Sequence, residues 1–253
     1  MTGIREKIGF IGLGTMGRPM AVNLLKEVVT GKGGLLEGVH KGMLLIDMSS
    51  ITPEVSKRMQ QALSEKGADA LDAPVSGGPA GAENGTLSIM VGGHEEAFQR
   101  GLPVLEVLGR RILLMGGPGS GQLTKLCNQI LIGVNLQAVA EAFTLARKSG
   151  LDVGKVREAM MGGVANSKVL ELHGQKIIDR SFDKPAFKLK LHHKDLKAAL
   201  EAGEAAGVPL LAASLVAQQM EAAMRQGYAE LDHTAITLVE EQLANIKPTS
   251  DTK

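Results

Sequence analysis

Around Gln122 the periodicity of the chain changes, and that change limits its possible folds more than any single motif does. Before it, short apolar runs end in glycines or turn residues and alternate with stretches of helical spacing. The runs include Ile8–Ile11, GMLLID at 42–47, ALDAPV at 70–75, TLSIMVGG at 86–93 and RILLMGG at 111–117. After it, the spacing is helical almost throughout. Alternation of strand and helix builds an open sheet covered by helices, whereas a helix-only tail must pack as a layer of its own. The expected fold class is therefore α/β followed by all-α. The predicted domains are 1–122 and 123–253, with one long helix from about Thr124 to Ser149 entering the second. Further helices are expected at 152–161, 189–206, 209–226 and 233–245. Asn84-Gly85 reads as a hairpin turn before TLSIMVGG.

The first apolar run opens into GLGTMG at 12–17 and then into a helix carrying Met20, Leu24 and Leu25 on one side. This is the context in which glycines let the backbone approach a pyrophosphate at a helix N-terminus. A dinucleotide site of this kind needs a second strand with an acidic end roughly 20 residues further on. Here the chain offers Lys32, Gly33 and Gly34. Asp47 also ends an apolar strand, but it follows Gly12 by 35 residues, and its spacing suits a structural role.

Three later motifs carry candidate chemistry. In DAPVSGG, Ser76, Gly77 and Gly78 place a hydroxyl and two glycine amides at a strand end, an arrangement that either holds a carboxylate or merely turns the chain. In GPGSGQLTKLCNQ, Lys125 is read in the first turn of the long helix among Leu123, Leu126 and Cys127, where a lysine is a candidate proton donor or an ordinary solvated cation. Asn128 and Gln129 follow, and one of them shares its helical face. In LHHKDL, the adjacent His192 and His193 point in different directions. With no other ligand at suitable spacing, a metal site is rejected. Lys194 and Asp195 read by default as a surface pair.

Composition removes several other classes. The 28 basic and 27 acidic side chains nearly cancel, which gives no reason to expect a polyanion partner such as nucleic acid. With no Trp, one Tyr and five Phe, base-stacking platforms are not expected. The single cysteine, Cys127, excludes an internal disulfide and fits a reducing cytoplasm. No signal-peptide pattern is read at the N-terminus. The apolar stretch around LCNQILIGVNLQAVAEAF carries Asn, Gln and Glu, so no membrane span is expected there.

Taken in order, FIGLGTMGRPMAVNLLK, IDMSS, DAPVSGGPAGAENGTLSIMVGG, GPGSGQLTKLCNQ and HHKDL resemble the β-hydroxyacid dehydrogenase family, and the resemblance extends to about Asn245. It implies a shortened Rossmann-type sheet, then an all-α domain joined to it by the long helix, with substrate held between them. It implies NAD or NADP as cofactor, contacted by Gly12, Leu13, Gly14, Thr15, Met16 and Gly17, by Ser50, and by Lys194. It assigns Lys125 as the catalytic lysine and Ser76, Gly77, Gly78, Asn128 and Gln129 to the substrate. The implied substrate is a small hydroxyacid or semialdehyde. LHHKDL with NLQAVAEA favours the tartronate semialdehyde (2-hydroxy-3-oxopropionate) branch over 3-hydroxyisobutyrate or succinic semialdehyde. A dimer or tetramer assembled through apolar helix faces is expected.

The family pattern also explains the anomaly after the first helix. About 50 residues that would form the second to fourth strands of the usual doubly wound order have no counterpart after Lys26. They include the acidic strand end that grips the adenosine half. That loss raises a reading from another class, a non-catalytic remnant that binds a small carboxylate or assembles through its helices.

Overall fold

A computed structural model describes residues 35–246 of the chain. The glycine turn at 12–17 and the join after Lys26 lie outside these residues. The chain divides into two compact units, Met1–Leu126 and Cys127–Lys253.

The first unit is described from a short helix, α1 (Leu35–Gly38), onward. Strand β1 (Leu44–Asp47) follows, then α2 (Pro53–Ser64), β2 (Asp69–Asp72), β3 (Val75–Ser76), α3 (Gly78–Glu83), β4 (Leu87–Gly92), α4 (Glu95–Leu108) and β5 (Gly109–Gly116). Among these the sheet order is β1-β2-β4-β3, with β5 also paired to β4. β1 runs parallel to β2 with Leu44 opposite Asp69 and Asp47 opposite Asp72, and β4 runs parallel to β5. β2 meets β4 antiparallel at Asp72 and Gly92, and β3 pairs antiparallel with β4.

Successive strand side chains point to opposite faces, so a sheet covered on both sides shows no polar alternation. The first unit follows this rule. Leu44, Ile46 and Leu71 pack with Ala97, Phe98 and Leu105 of α4, while Met43, Leu45 and Ala70 pack with Met59 and Leu63 of α2. Helix α2 starts where the sequence expects it, with Pro53 in its first turn and the Thr52 side chain accepting from Val55 N.

Asn84-Gly85 is not a hairpin turn. It ends α3, with Gly85 at φ +59°, Gly85 N donating to Ala82 O and Thr86 N donating to Gly81 O. This is a helix C-terminal motif in which glycine supplies the left-handed residue. A helix therefore joins the two antiparallel strands.

The second unit is helical. It comprises the remainder of α5 (Ser120–Lys148), then α6 (Val153–Met161), α7 (Lys168–Ile178), α8 (Leu189–Ala205), α9 (Leu211–Ala223) and α10 (Ile236–Leu243). Wider and tighter helical turns occupy Met224–Tyr228 and His233–Ala235. Phe143, Leu170, Ile177, Leu189, Leu196, Met220 and Ile236 form its core. Helix α7 is absent from the expectations above. Its signals are the Ser167 cap, which accepts from Leu170 N, and the inward spacing of Leu170, Gly174 and Ile177. Helix α5 starts four residues earlier than predicted and is long and apolar enough to cross a membrane. Leu136, Ala140 and Phe143 on it are instead wholly enclosed in the core of the second unit.

Candidate active site

The carboxyl ends of β1 and β2 and the start of α5 meet around one side chain, Asp72. It is fully buried and ends β2. Its Oδ1 accepts from Gln60 Nε2 at 2.7 Å and from Gly119 N at 2.8 Å, and its Oδ2 accepts from Gln122 N at 2.8 Å. A helix begins with amide groups that have no partner within the helix, and a carboxylate there satisfies them while complementing the helix dipole. Asp72 thus fixes the start of α5 against the sheet.

Two glycines make this approach possible. A Cβ on Gly92 would lie 2.5 Å from Asp72 Oδ1. One on Gly121 would lie 2.6 Å from Asp72 O and would overlap the Met90 carbonyl oxygen.

Gln122, also buried, extends the junction to the loop after β1. Its Oε1 accepts from Ile51 N at 3.2 Å and its Nε2 donates to Ser49 O at 2.7 Å. Ser50 therefore sits in a loop gripped on both sides. Sequence reasoning found the motifs containing Asp72 and Gln122 but assigned neither residue a role. Both are polar residues in otherwise apolar or glycine-rich strings, and that was the available signal. Asp47, facing Asp72 across the strand pair, accepts from Ser49 N at 2.9 Å. Burial holds its pKa above the usual carboxylate range, against the hydrogen bond from Ser49.

Ser76 lies in β3 opposite Ser88. Gly77 and Gly78 follow at φ +136° and +64°, conformations that β-carbon side chains rarely adopt, and a Cβ on Gly78 would meet nothing within 4 Å. Lys125 is half-buried on α5. It is the sixth residue of that helix rather than part of its first turn, because the helix begins at Ser120. The helix-dipole argument fades beyond the first turn and does not apply to it. Nor is its setting as apolar as the string suggests, since Leu123 and Cys127 are exposed and only Leu126 is buried.

In the second unit, α5 and α8 share a polar network. Gln129 is 2 % exposed. Its Nε2 donates to Asp195 Oδ2 at 2.7 Å and its Oε1 accepts from Asn128 Nδ2 at 2.9 Å. Each end of its amide thus has an internal partner, one on its own helix and one on α8. Lys194 Nζ lies 3.1 Å from Asp195 Oδ1, with both side chains largely buried, so these two are not the surface pair expected.

His192 also gains partners that linear spacing hides. Its Nδ1 is 2.9 Å from His233 Nδ1 and its Nε2 is 3.1 Å from Gln129 O. His233 Nε2 is 3.4 Å from His173 Nδ1. His173, His233 and Asp232 bring donor atoms close enough to suggest a metal. Asp232, however, already accepts from Lys176 Nζ, Ala186 N, Thr234 N and Thr234 Oγ1. These bonds fill the four lone-pair positions of a carboxylate. Burial lowers the pKa of His173 and, with neighbouring positive charge, pushes that of His233 far down.

The sheet with helices on both faces, its strand ends converging on Ser50 and α5, has the open α/β architecture in which nucleotides are held at the carboxyl ends of strands. Residues 7–30 and 25–117 match the model described as the NAD binding domain of 6-phosphogluconate dehydrogenase. Residues 119–239 match the model described as NAD-binding of NADP-dependent 3-hydroxyisobutyrate dehydrogenase. The 2-hydroxy-3-oxopropionate reductase of Escherichia coli is 39 % identical, covering 95 % of this chain and 99 % of the relative. The 2-(hydroxymethyl)glutarate dehydrogenase of Eubacterium barkeri is 35 % identical over 95 % of this chain and 96 % of its own. Among solved structures, 3-hydroxyisobutyrate dehydrogenase from Salmonella typhimurium superposes with a TM-score of 0.79 at 28 % identity, covering 87 % of this chain and 76 % of that one.

The chain belongs to the β-hydroxyacid dehydrogenase family, an enzyme family, and its cofactor is NAD or NADP. The first model matches in two pieces whose ends meet at 25–30, where the sequence pattern breaks. The alignment with the Escherichia coli reductase runs over 290 positions, more than the 253 residues of this chain, so part of the relative has no counterpart here.

Proposed function

We propose that this protein interconverts a small β-hydroxyacid and its semialdehyde, with 2-hydroxy-3-oxopropionate as the favoured substrate and 3-hydroxyisobutyrate or succinic semialdehyde as alternatives. The observation that carries the reading is helix α5. Its start is fixed by Asp72 and Gln122, and within three residues it presents Lys125 and Asn128, on a chain resembling the Escherichia coli reductase over nearly its full length.

The residues present fit a nicotinamide cofactor. Ser50 lies in a loop held at the carboxyl ends of parallel strands, where open α/β sheets bind nucleotides. Ser50 and Lys194 would hold it, together with the glycine turn at 12–17. When bound, the nicotinamide supplies or accepts the hydride. Lys125 donates a proton to the substrate oxygen in reduction and removes it in oxidation. Asn128 fixes that oxygen through its amide. The Ser76 hydroxyl and the Gly77 and Gly78 amides hold the substrate carboxylate, and the open space beside Gly78 lets it approach the backbone.

The test is turnover of a panel of these semialdehydes and hydroxyacids with NADH, NADPH and their oxidised forms. Preference for 2-hydroxy-3-oxopropionate supports the reading. Preference for 3-hydroxyisobutyrate or succinic semialdehyde overturns the substrate but keeps the class. The break at residues 25–30 favours a second reading, a remnant that holds a small carboxylate without chemistry. Binding of hydroxyacid with no turnover under any cofactor would select it.

A further inference from the structure

We propose that His192 is a positioning residue for the Asn128–Gln129 segment, its ring fixed in one tautomer by a buried chain through His233 and His173. The proposal rests on the role given above to Asn128. The partners decide the tautomers. Gln129 O is a main-chain carbonyl and can only accept, so His192 Nε2, 3.1 Å away, carries hydrogen. A neutral His192 then has a bare Nδ1. Because His233 Nδ1 lies 2.9 Å from it, His233 is the donor there. His233 Nε2 is in turn bare and accepts from His173 Nδ1 at 3.4 Å. The chain has one direction, from half-buried His173 to the carbonyl of Gln129. Asp232 Oδ1, 4.0 Å from His233 Nε2, already accepts from Thr234, and Lys176 pairs with the other oxygen of Asp232.

Two further observations point to Gln129 as the target. His192 and Asp195, three residues apart on α8, share a helical face and grip the same residue, one at its carbonyl and the other at its side chain. Because Asp195 only accepts, Gln129 must turn its Nε2 toward it, which leaves Oε1 to accept from Asn128 Nδ2. The orientation of the Asn128 amide is therefore set from α8. Gly133 sits opposite. Glycine within a helix is destabilising relative to alanine, and a Cβ there would lie 3.4 Å from His192 Nε2 and 3.3 Å from Leu196 Cδ1. Its absence gives the imidazole room to reach the carbonyl one turn earlier.

The experiment uses the full chain with ¹⁵N-labelled histidine and side-chain amides, and the variants His192→Phe and His192→Gln. In the parent, the ring nitrogens should report His192 protonated at Nε2 only and His233 at Nδ1 only. The Asn128 amide resonance should move in His192→Phe and return toward its parent position in His192→Gln, whose amide nitrogen supplies a donor. In turnover, His192→Phe should raise KM for the hydroxyacid about fivefold, the weight of one net hydrogen bond, with kcat and cofactor KM within about twofold. His192→Gln should recover most of that loss. A His192 protonated at Nδ1, or an Asn128 amide unmoved in His192→Phe, overturns the proposal. If His192→Phe does not fold, the parent tautomers and the Gln variant still decide it. If the parent turns over no hydroxyacid, the functional reading fails while the resonance measurements judge this proposal separately.

Discussion

Replacing Asp72 with Asn changes one atom at the junction of β2, α2 and α5. The carboxylate accepts three hydrogen bonds, two at Oδ1 and one at Oδ2, and every donor is buried or half-buried. In Asp72→Asn the remaining oxygen can keep Gln60 Nε2 and Gly119 N. The new amide nitrogen then faces the Gln122 N–H, donor against donor. A hydrogen bond to a charged group contributes about 1.5–3 kcal/mol, and an unmet buried donor costs about 1–3 kcal/mol. Relaxation offsets part of each, and the expected loss is about 2–4 kcal/mol. It should fall on the first unit. In amide exchange, Gln122 N and the α5 amides just after it should lose protection by about 1.4 kcal/mol per tenfold, that is by ten- to a thousandfold. Amides near Phe143 should change little. Urea unfolding of the whole chain should show the same asymmetry as an earlier transition in the first unit. A loss below about 0.5 kcal/mol, with Gln122 protection unchanged, would refute the claim that Asp72 fixes the helix start.

Lys125→Ala should lower kcat by about 10²–10⁴-fold with cofactor affinity within a few-fold, checked by steady-state turnover and titration; activity within a few-fold of the parent would remove Lys125 from the mechanism. The second unit should lose stability on acidification. Burial lowers the folded-state pKa values of His173, His193 and His233, so the unfolded chain binds more protons below the ordinary histidine value of about 6.5. Their contribution is present above that pH and is lost as pH falls toward the folded values. Denaturation midpoints should drop between about pH 6.5 and 5, and His233→Asn should flatten the drop. Leu131, Leu211 and Leu215 expose apolar surface on α5 and α9, and a dimer or tetramer is expected by light scattering. A monomer at tens of micromolar would count against that assembly.

How far the sequence carried depended on the range of each interaction. Much of the strand and helix placement followed from local periodicity, although α3 and α7 were not among the expected helices, and the apolar string of β1 suits a strand covered on both faces. The motif around Lys125 was legible as a motif. Its physical setting was not, because the helix start is decided by Asp72, 47 residues before Gly119, and not by the residues nearby. The same limit hid the histidine chain. Adjacent His192 and His193 diverge as expected, but the partner of His192 is His233, 41 residues later. Asn84-Gly85 failed differently: the dipeptide favours left-handed backbone, and a hairpin turn and a helix end both use it.

The central claim is that this shortened chain still works as an NAD(P)-dependent oxidoreductase, and calorimetric titration of the full chain with NADH and NADPH tests it most directly. The GLGTMG string at 12–17, with Ser50 and Lys194 in the cofactor roles proposed above, predicts binding of one of the two at a Kd below about 100 μM. Heat signals consistent only with millimolar binding, or none for either nucleotide, would contradict it and leave the non-catalytic remnant as the better account.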